Sequence, residues 1–260
     1  MPLDTIPNEK VPGHWLLARM GKKVLRPGGR QLTDEMLGSL AVTSTDRVIE
    51  LAPGLGATAR SLIARGPASY TAIDRDADAA AAVRDVVGPS GGTALVAPAQ
   101  QVPLPDAEAT VVVGEAMLTM QSDANKSGVI REAARLLGPG GRYAIHELCI
   151  VPDDVDPATE QQIWDDLSRS IHVGARPLTA RAWRELLEAE GFTVVAEHRA
   201  PMALLAPRRV IADEGFWSAA QFFGRVARDR SARARVRDMR GCFQRWSDHL
   251  AAVAFVAEKA

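Results

Sequence analysis

The segment Arg47-Val48-Ile49-Glu50-Leu51-Ala52-Pro53-Gly54-Leu55-Gly56-Ala57-Thr58-Ala59-Arg60 decides how the rest of this 260-residue chain is read. Its first half is a short apolar run closing on a carboxylate, the pattern of a buried strand. Two glycines then bend the backbone and leave no Cβ between a ligand and the main-chain amides. The residues beyond them favour a helix as far as Arg65, whose N-terminus would point free N–H groups and partial positive charge at the turn. The segment therefore predicts a strand–turn–helix shaped to hold a ligand, against the plainer alternative of an ordinary connection.

Working outward, Tyr70 to Asp74 reads as a second strand ending on an acid. Asp74 falls 18 residues after Gly56, about the spacing at which an acid reaches ribose hydroxyls in nucleotide-binding folds. A helix over Ala77–Val87 stops at Gly88-Pro89, and strands follow at Thr93–Val96 and Ala109–Val113, the latter leading into Gly114-Glu115. A helix over Asp123–Leu137 stops at Gly138-Pro139-Gly140-Gly141 before a fifth strand, Arg142–Cys149. The rest reads as an amphipathic segment within 152–177, a helix over Thr179–Glu190, a strand over Phe192–Glu197, a helical arginine-rich stretch over Met202–His249 and a last strand over Leu250–Ala257. Upstream, residues 1 to 13 read as an irregular arm, His14–Lys23 as a short helix, and Thr33 as the N-cap of a helix through Leu40. Alternating apolar strands and helices define a parallel sheet covered on both faces, with ligands beyond the carboxyl ends of its strands. That rule gathers Glu50, Asp74, Ala99, Gln100, Gly114, Glu115, His146 and Glu147 toward one crevice.

Composition sets the bounds. Apolar content of 47 % with 24 % charged residues is that of a globular protein, and a net charge of −1 disfavours a nucleic-acid partner. Cys149 and Cys242 make no disulfide framework or metal cluster. No leader pattern and no membrane-length apolar run is visible, so the expectation is a cytoplasmic protein with no membrane partner. The length fits one domain over residues 1–260: an arm or lid (1–45), a core (46–150) and substrate-side helices and strands (151–260).

Two families use such a glycine turn. Gly54-Leu55-Gly56-Ala57-Thr58-Ala59 matches the G-x-G-x-x-A of dinucleotide-binding proteins. A short-chain dehydrogenase, however, needs Tyr-x-x-x-Lys, and four residues after Tyr70 and Tyr143 stand Asp74 and Glu147. Glu50-Leu51-Ala52-Pro53-Gly54-Leu55-Gly56 instead resembles the acid-x-G-x-G-x-G motif of the class I S-adenosylmethionine methyltransferases, with Ala52 in place of the first glycine. Arg135-Leu136-Leu137-Gly138-Pro139-Gly140-Gly141 resembles the R-x-L-K-P-G-G of their small-molecule branch, called type 11 or ubiquinone/menaquinone-like. The resemblance covers roughly residues 14 to 200. It implies a Rossmann-like, doubly wound, seven-stranded, mostly parallel sheet with an antiparallel last strand, plus a helical arm and a helical insertion before that strand.

It also implies S-adenosylmethionine as cofactor and methyl transfer to a small-molecule acceptor, the alternative being a non-catalytic cofactor-binding or interaction protein with a degenerate site. Gly54 and Gly56 would pass under the methionine part, with Ala52, Pro53 and Gly114 completing the set. Glu50 would anchor the turn, Asp74 would take the ribose and Arg75 would flank the adenine. Pro98 stands where the family has an adenine-binding acid, so Ala99 and Gln100 are assigned there. Glu115 and His146 are the candidate catalytic residues, with Glu147 nearby on the opposite face of its strand. His14, Trp15, Met20, Trp164 and His172 are candidate acceptor contacts. Arg26, within Arg26-Pro27-Gly28-Gly29, would either meet a carboxylate or sit in a plain turn. The aromatics of the insertion (Phe216, Trp217, Phe222, Phe223, Phe243) would cap the site or form a homodimer surface, and its arginines read as a solvated face. The arm and the insertion are expected to close the pocket, and deleting residues 1 to 24 to weaken acceptor use more than folding.

Overall fold

The computed structural model describes residues 7–260; part of the predicted irregular arm, residues 1–6, lies outside them. The strands are β1 (Arg47–Leu51), β2 (Ser69–Asp74), β3 (Thr93–Val96), β4 (Ala109–Glu115), β5 (Leu137–Ile150), β6 (Leu178–Thr179), β7 (Phe192–Pro201) and β8 (Leu250–Lys259). Seven of them form one path in the order β3-β2-β1-β4-β5-β8-β7, and the two-residue β6 pairs with β5. β1, β2, β3, β4 and β5 are parallel, while β8 runs antiparallel to both its neighbours, β5 and β7. The mostly parallel sheet with an antiparallel last strand is the expected one.

The period of two sorts the strand residues between two cores. Ile49, Leu51, Val112, Tyr143, Ile145 and Phe255 pack on one face with Trp183, Val129 and Ile130. Val48, Val111, Val113, Ala144 and Ala254 pack on the other with Leu32, Met36, Leu62 and Val83. Burial on both faces is why β1 and β4 read as continuous apolar runs. The helices are α1 (Gly13–Arg19), α2 (Gly29–Leu40), α3 (Ala57–Ile63), α4 (Ala77–Val87), α5 (Asp123–Leu136), α6 (Pro157–Ile171), α7 (Ala180–Ala189), α8 (Pro207–Glu214), α9 (Phe216–Arg228) and α10 (Arg230–Arg245).

Two of the boundaries that differ from expectation bear on the site and the sheet. α2 starts at Gly29 behind a left-handed Gly28, and Thr33 is a buried interior residue of it. The Thr33 hydroxyl caps nothing because it is spent on Glu115. β5 begins at Leu137 rather than Arg142: Leu137 pairs with Ala109, then Arg142 with Val111, and the Gly-Pro-Gly-Gly run loops out between them.

A third apolar cluster lies off the sheet. Val11, Leu16, Leu17 and Met20 of the arm join Val210, Ala219, Phe222, Val226 and Met239 of the helices before β8. Arm and insertion thus build one cover over the carboxyl end of the sheet.

Candidate active site

The turn after β1 has the shape the sequence implies. Gly54 and Gly56 have φ of 56° and 71°. A Cβ built on Gly54 would meet no atom within 4 Å, so this backbone faces open space, whereas one on Gly56 would touch Val83 and Val86 of α4. Gly54 is therefore the ligand-facing glycine, and Gly56, which caps α3, is the packing one. Ala52, standing where the family has glycine, holds the same left-handed backbone at φ 52° and donates its N–H to Ile73 O at 2.7 Å.

Above this turn lies a cavity of about 400 Å³, within the usual range for small-ligand sites. Glu50, Ala52, Pro53, Gly54, Asp74, Arg75, Ala99, Gln100, Glu115, His14 and Trp15 all line it. Asp74 stands at the end of β2, its Oδ1 accepting the Asp76 amide at 3.0 Å. Burial, with the Asp76 charge adding to it, raises its pKa against the backbone bonds it accepts. Much of the remaining lining is apolar, including Met117, Met120, Leu167, Met202, Met239 and Phe243. None of these six was singled out as an acceptor contact from sequence except Phe243, as part of a cap. They come from four separate segments that only the tertiary fold brings together.

Several expected residues lie elsewhere. Met20 is buried in the third cluster. Trp164 donates its indole N–H to Pro177 O at 2.9 Å, and His172 is the C-cap of α6. Gly56 and Gly114 sit beneath the lining, and neither His146 nor Glu147 reaches the cavity. Glu147 is fully buried and accepts the amides of Met117, Leu118 and Thr119 at 2.8 to 3.0 Å and the Thr119 hydroxyl at 2.7 Å. It shapes the loop after β4.

Glu115 and His146 do meet, but as a locked cluster. His146 Nδ1 is 2.9 Å from Glu115 Oε1 and Nε2 is 2.6 Å from Pro27 O. The Pro27 carbonyl can only accept, so Nε2 is the donor to it. Thr33 gives its hydroxyl to Glu115 Oε1 at 2.7 Å, Thr58 gives its own to Oε2, and Arg26 Nη1 stands 3.1 Å from Oε2. Burial alone would raise the Glu115 pKa. The Arg26 charge, the bond and charge of His146 and the Thr33 bond outweigh it and hold the carboxyl at about 2. An anion so fully satisfied is a poor proton acceptor and a good anchor.

Glu50 is the opposite case. Burial, with the nearby Glu115 charge, pushes its pKa up to about 8 despite the short hydrogen bond from the Tyr70 hydroxyl. His14 faces the cavity from α1, and burial together with the Arg75 charge lowers its pKa to about 4. It is a neutral imidazole at neutral pH. Arg26, buried in the α1–α2 loop, gives Nη1 to Thr58 at 2.8 Å while its Nε is buried without a partner. A guanidinium that lines the cavity beside the glycine turn suits a carboxylate.

The sheet order and a glycine turn with an open ligand-facing side define a nucleotide-binding α/β protein of the methyltransferase kind. The chain belongs to the class I S-adenosylmethionine-dependent methyltransferases, type 11: the methyltransferase-domain family model matches residues 49–145. Over 209 residues it is 32 % identical to an uncharacterized protein of Haemophilus influenzae, covering 79 % of this chain and 81 % of that one. It is 34 % identical over 131 residues to the 27-O-demethylrifamycin SV methyltransferase of Amycolatopsis mediterranei, 47 % of this chain and 46 % of that one. Among solved structures, the MccD protein superposes with a TM-score of 0.70 at 18 % identity, over 90 % of this chain and 99 % of that one. The cofactor is S-adenosylmethionine.

Proposed function

We propose that the protein moves the methyl group of S-adenosylmethionine to a small, largely apolar acceptor by in-line displacement. The observation carrying this reading is one cavity lined both by the glycine turn and Asp74 and by a methionine-rich apolar set. The residues present fit the cofactor. The open side of Gly54 leaves room for it against the backbone, and the cavity-lining Arg26 guanidinium and Asp74 carboxyl are assigned to its carboxylate and its ribose hydroxyls. Gln100 takes the adenine end, where its side-chain oxygen accepts from an amine.

The cofactor supplies an activated methyl group on a sulfonium. The chain aligns the acceptor and excludes water through the cover formed by α1, α6 and α10. His14 is the candidate to take up a proton because it lines the cavity unprotonated; burial and the Arg75 charge keep it a weak base, suited to a proton made acidic as the methyl group arrives. Glu115 and His146 then hold Thr33, Thr58, Arg26 and the Pro27 carbonyl in place. The resemblance of one stretch to a methyltransferase named for a rifamycin supports a small-molecule acceptor.

A second reading, a cofactor-binding protein without transfer, draws on Pro98 standing where the family has its adenine-binding acid. Transfer of labelled methyl from the cofactor to a panel of apolar hydroxyl, thiol and amine compounds separates the two. Binding of S-adenosylhomocysteine by calorimetry with no transfer supports the second, and no binding at millimolar ligand overturns both. On the first reading His14→Asn lowers kcat by roughly 10²-fold or more with S-adenosylhomocysteine affinity unchanged.

A further inference from the structure

The helices before β8 carry a surface the cavity does not account for. From Pro207 to Arg245 ten arginines stand against four acids, a local net charge of +6 in a chain whose total is −1. On α10, Arg230, Arg233, Arg237 and Arg240 recur at intervals of three, four and three, and all four are exposed. That spacing stacks them along one helix face, where like charges destabilise the helix unless something outside neutralises them. Arg230, Arg237 and Arg240 make no ion pair among the described residues.

The adjoining helix α9 packs against α10 and buries Ala219, Phe222 and Val226. Its other face carries Phe216, Trp217, Ala220, Phe223 and Ala227, with Arg225 and Arg228 at the edge, all exposed. Trp217 is 78 % and Phe216 64 % exposed, with their rings edge to face. Two large aromatics held in water, on a helix packed against the one that carries the cationic stripe, mark an interaction site.

We propose that the outward faces of α9 and α10 dock on an anionic lipid bilayer, the Phe216 and Trp217 rings entering the headgroup boundary and the α10 arginines meeting lipid phosphates. Arginine on the polar face with tryptophan and phenylalanine on the other is the composition of a helix lying in a membrane interface. A second copy of the chain fits poorly, because a two-fold contact would set each arginine stripe near its counterpart. Nucleic acid would answer the charge but leave the apolar strip of α9 in water. No membrane span is needed, and none of the described helices is long and apolar enough to cross a bilayer. The inference stands apart from the methyl-transfer reading, since α9 presents this face whatever the cavity holds.

The test is sedimentation of the full chain with vesicles of phosphatidylcholine alone or doped with phosphatidylglycerol, with Trp217 emission read in parallel. Sedimentation with the phosphatidylglycerol vesicles only, weakened by salt, is expected. Arg230→Gln with Arg237→Gln should weaken it on the order of thirtyfold, and Phe216→Ser with Trp217→Ser should abolish the emission shift. All four positions are exposed, and a melting curve for each variant confirms an unchanged fold. Equal sedimentation with both vesicles, or with neither, overturns the proposal. So does binding of duplex DNA or transfer RNA without vesicle binding, or a dimer that the Phe216→Ser, Trp217→Ser variant dissociates.

Discussion

At Ala52 a methyl group rides on backbone that glycine would adopt freely. Its φ of 52° costs an L-residue on the order of 1 to 2 kcal/mol. Ala52→Gly is therefore expected to raise unfolding free energy by about 1 kcal/mol, since greater freedom in the unfolded chain offsets part of the relief; urea titration measures it. Two positions on, Gly54→Val should abolish the heat of S-adenosylhomocysteine binding, because its side chain would fill the open space facing the cavity. Its circular dichroism should remain native. Glu50 makes stability depend on pH. Its native pKa of about 8 lies above the ordinary 4.5, so between those values the native state keeps a proton that the unfolded chain releases. Stability then falls as pH rises through that window and levels off beyond about 8, a loss on the order of a few kcal/mol. Denaturant titrations across the window should slope for the parent protein and run flatter for Glu50→Gln.

Among elements, α8 holds the loop that delivers Arg26. Glu214 Oε1 accepts the amides of Lys23 and Val24, each at 2.8 Å, and Asp213 Oδ1 accepts that of Arg30 at 3.0 Å. The fully buried Lys22 ammonium lies 3.7 Å from Glu214 and 3.9 Å from Asp213. Removing one acid leaves a buried charge short of a partner, so Glu214→Ala should cost roughly 3 to 5 kcal/mol. It should also speed amide exchange over residues 23–30 and weaken cofactor binding through Arg26. This clamp joins residues some 190 apart, and nothing local in either segment announces it. The strand–turn–helix of residues 47–63 and the acid ending β2 were legible because strand period, glycine turns and capping act over a few neighbours. Thr33 shows the limit: its position suits an N-cap, but a partner 82 residues away claimed its hydroxyl. The apolar part of the cavity lining was hidden for the same reason, its methionines looking like any core methionine until the fold collects them.

At the scale of the whole molecule, arm and insertion are one body. Val11, Leu16 and Leu17 are almost fully buried against Val210, Phe222 and Met239, and Arg235 gives its guanidinium to the carbonyls of Asn8, Glu9 and Val11. Removing residues 1–24 would therefore strip a core as well as a lid, and the truncated protein is expected to melt lower. His14→Asn and Trp15→Ala test the acceptor site without that loss. The place of β8 has a consequence for how the chain is made. It is the last strand in sequence yet lies between β5 and β7, so while the ribosome is still adding the residues before Leu250, β7 has no edge to join. α1, synthesised first, waits through about two hundred residues for the helices it packs against. A nascent chain in that interval shows water an open β5 edge and the leucines of α1, two surfaces that invite chaperones or aggregation. Termination at residue 249 should accordingly yield insoluble protein with no cooperative melt, which expression trials and a thermal scan would show.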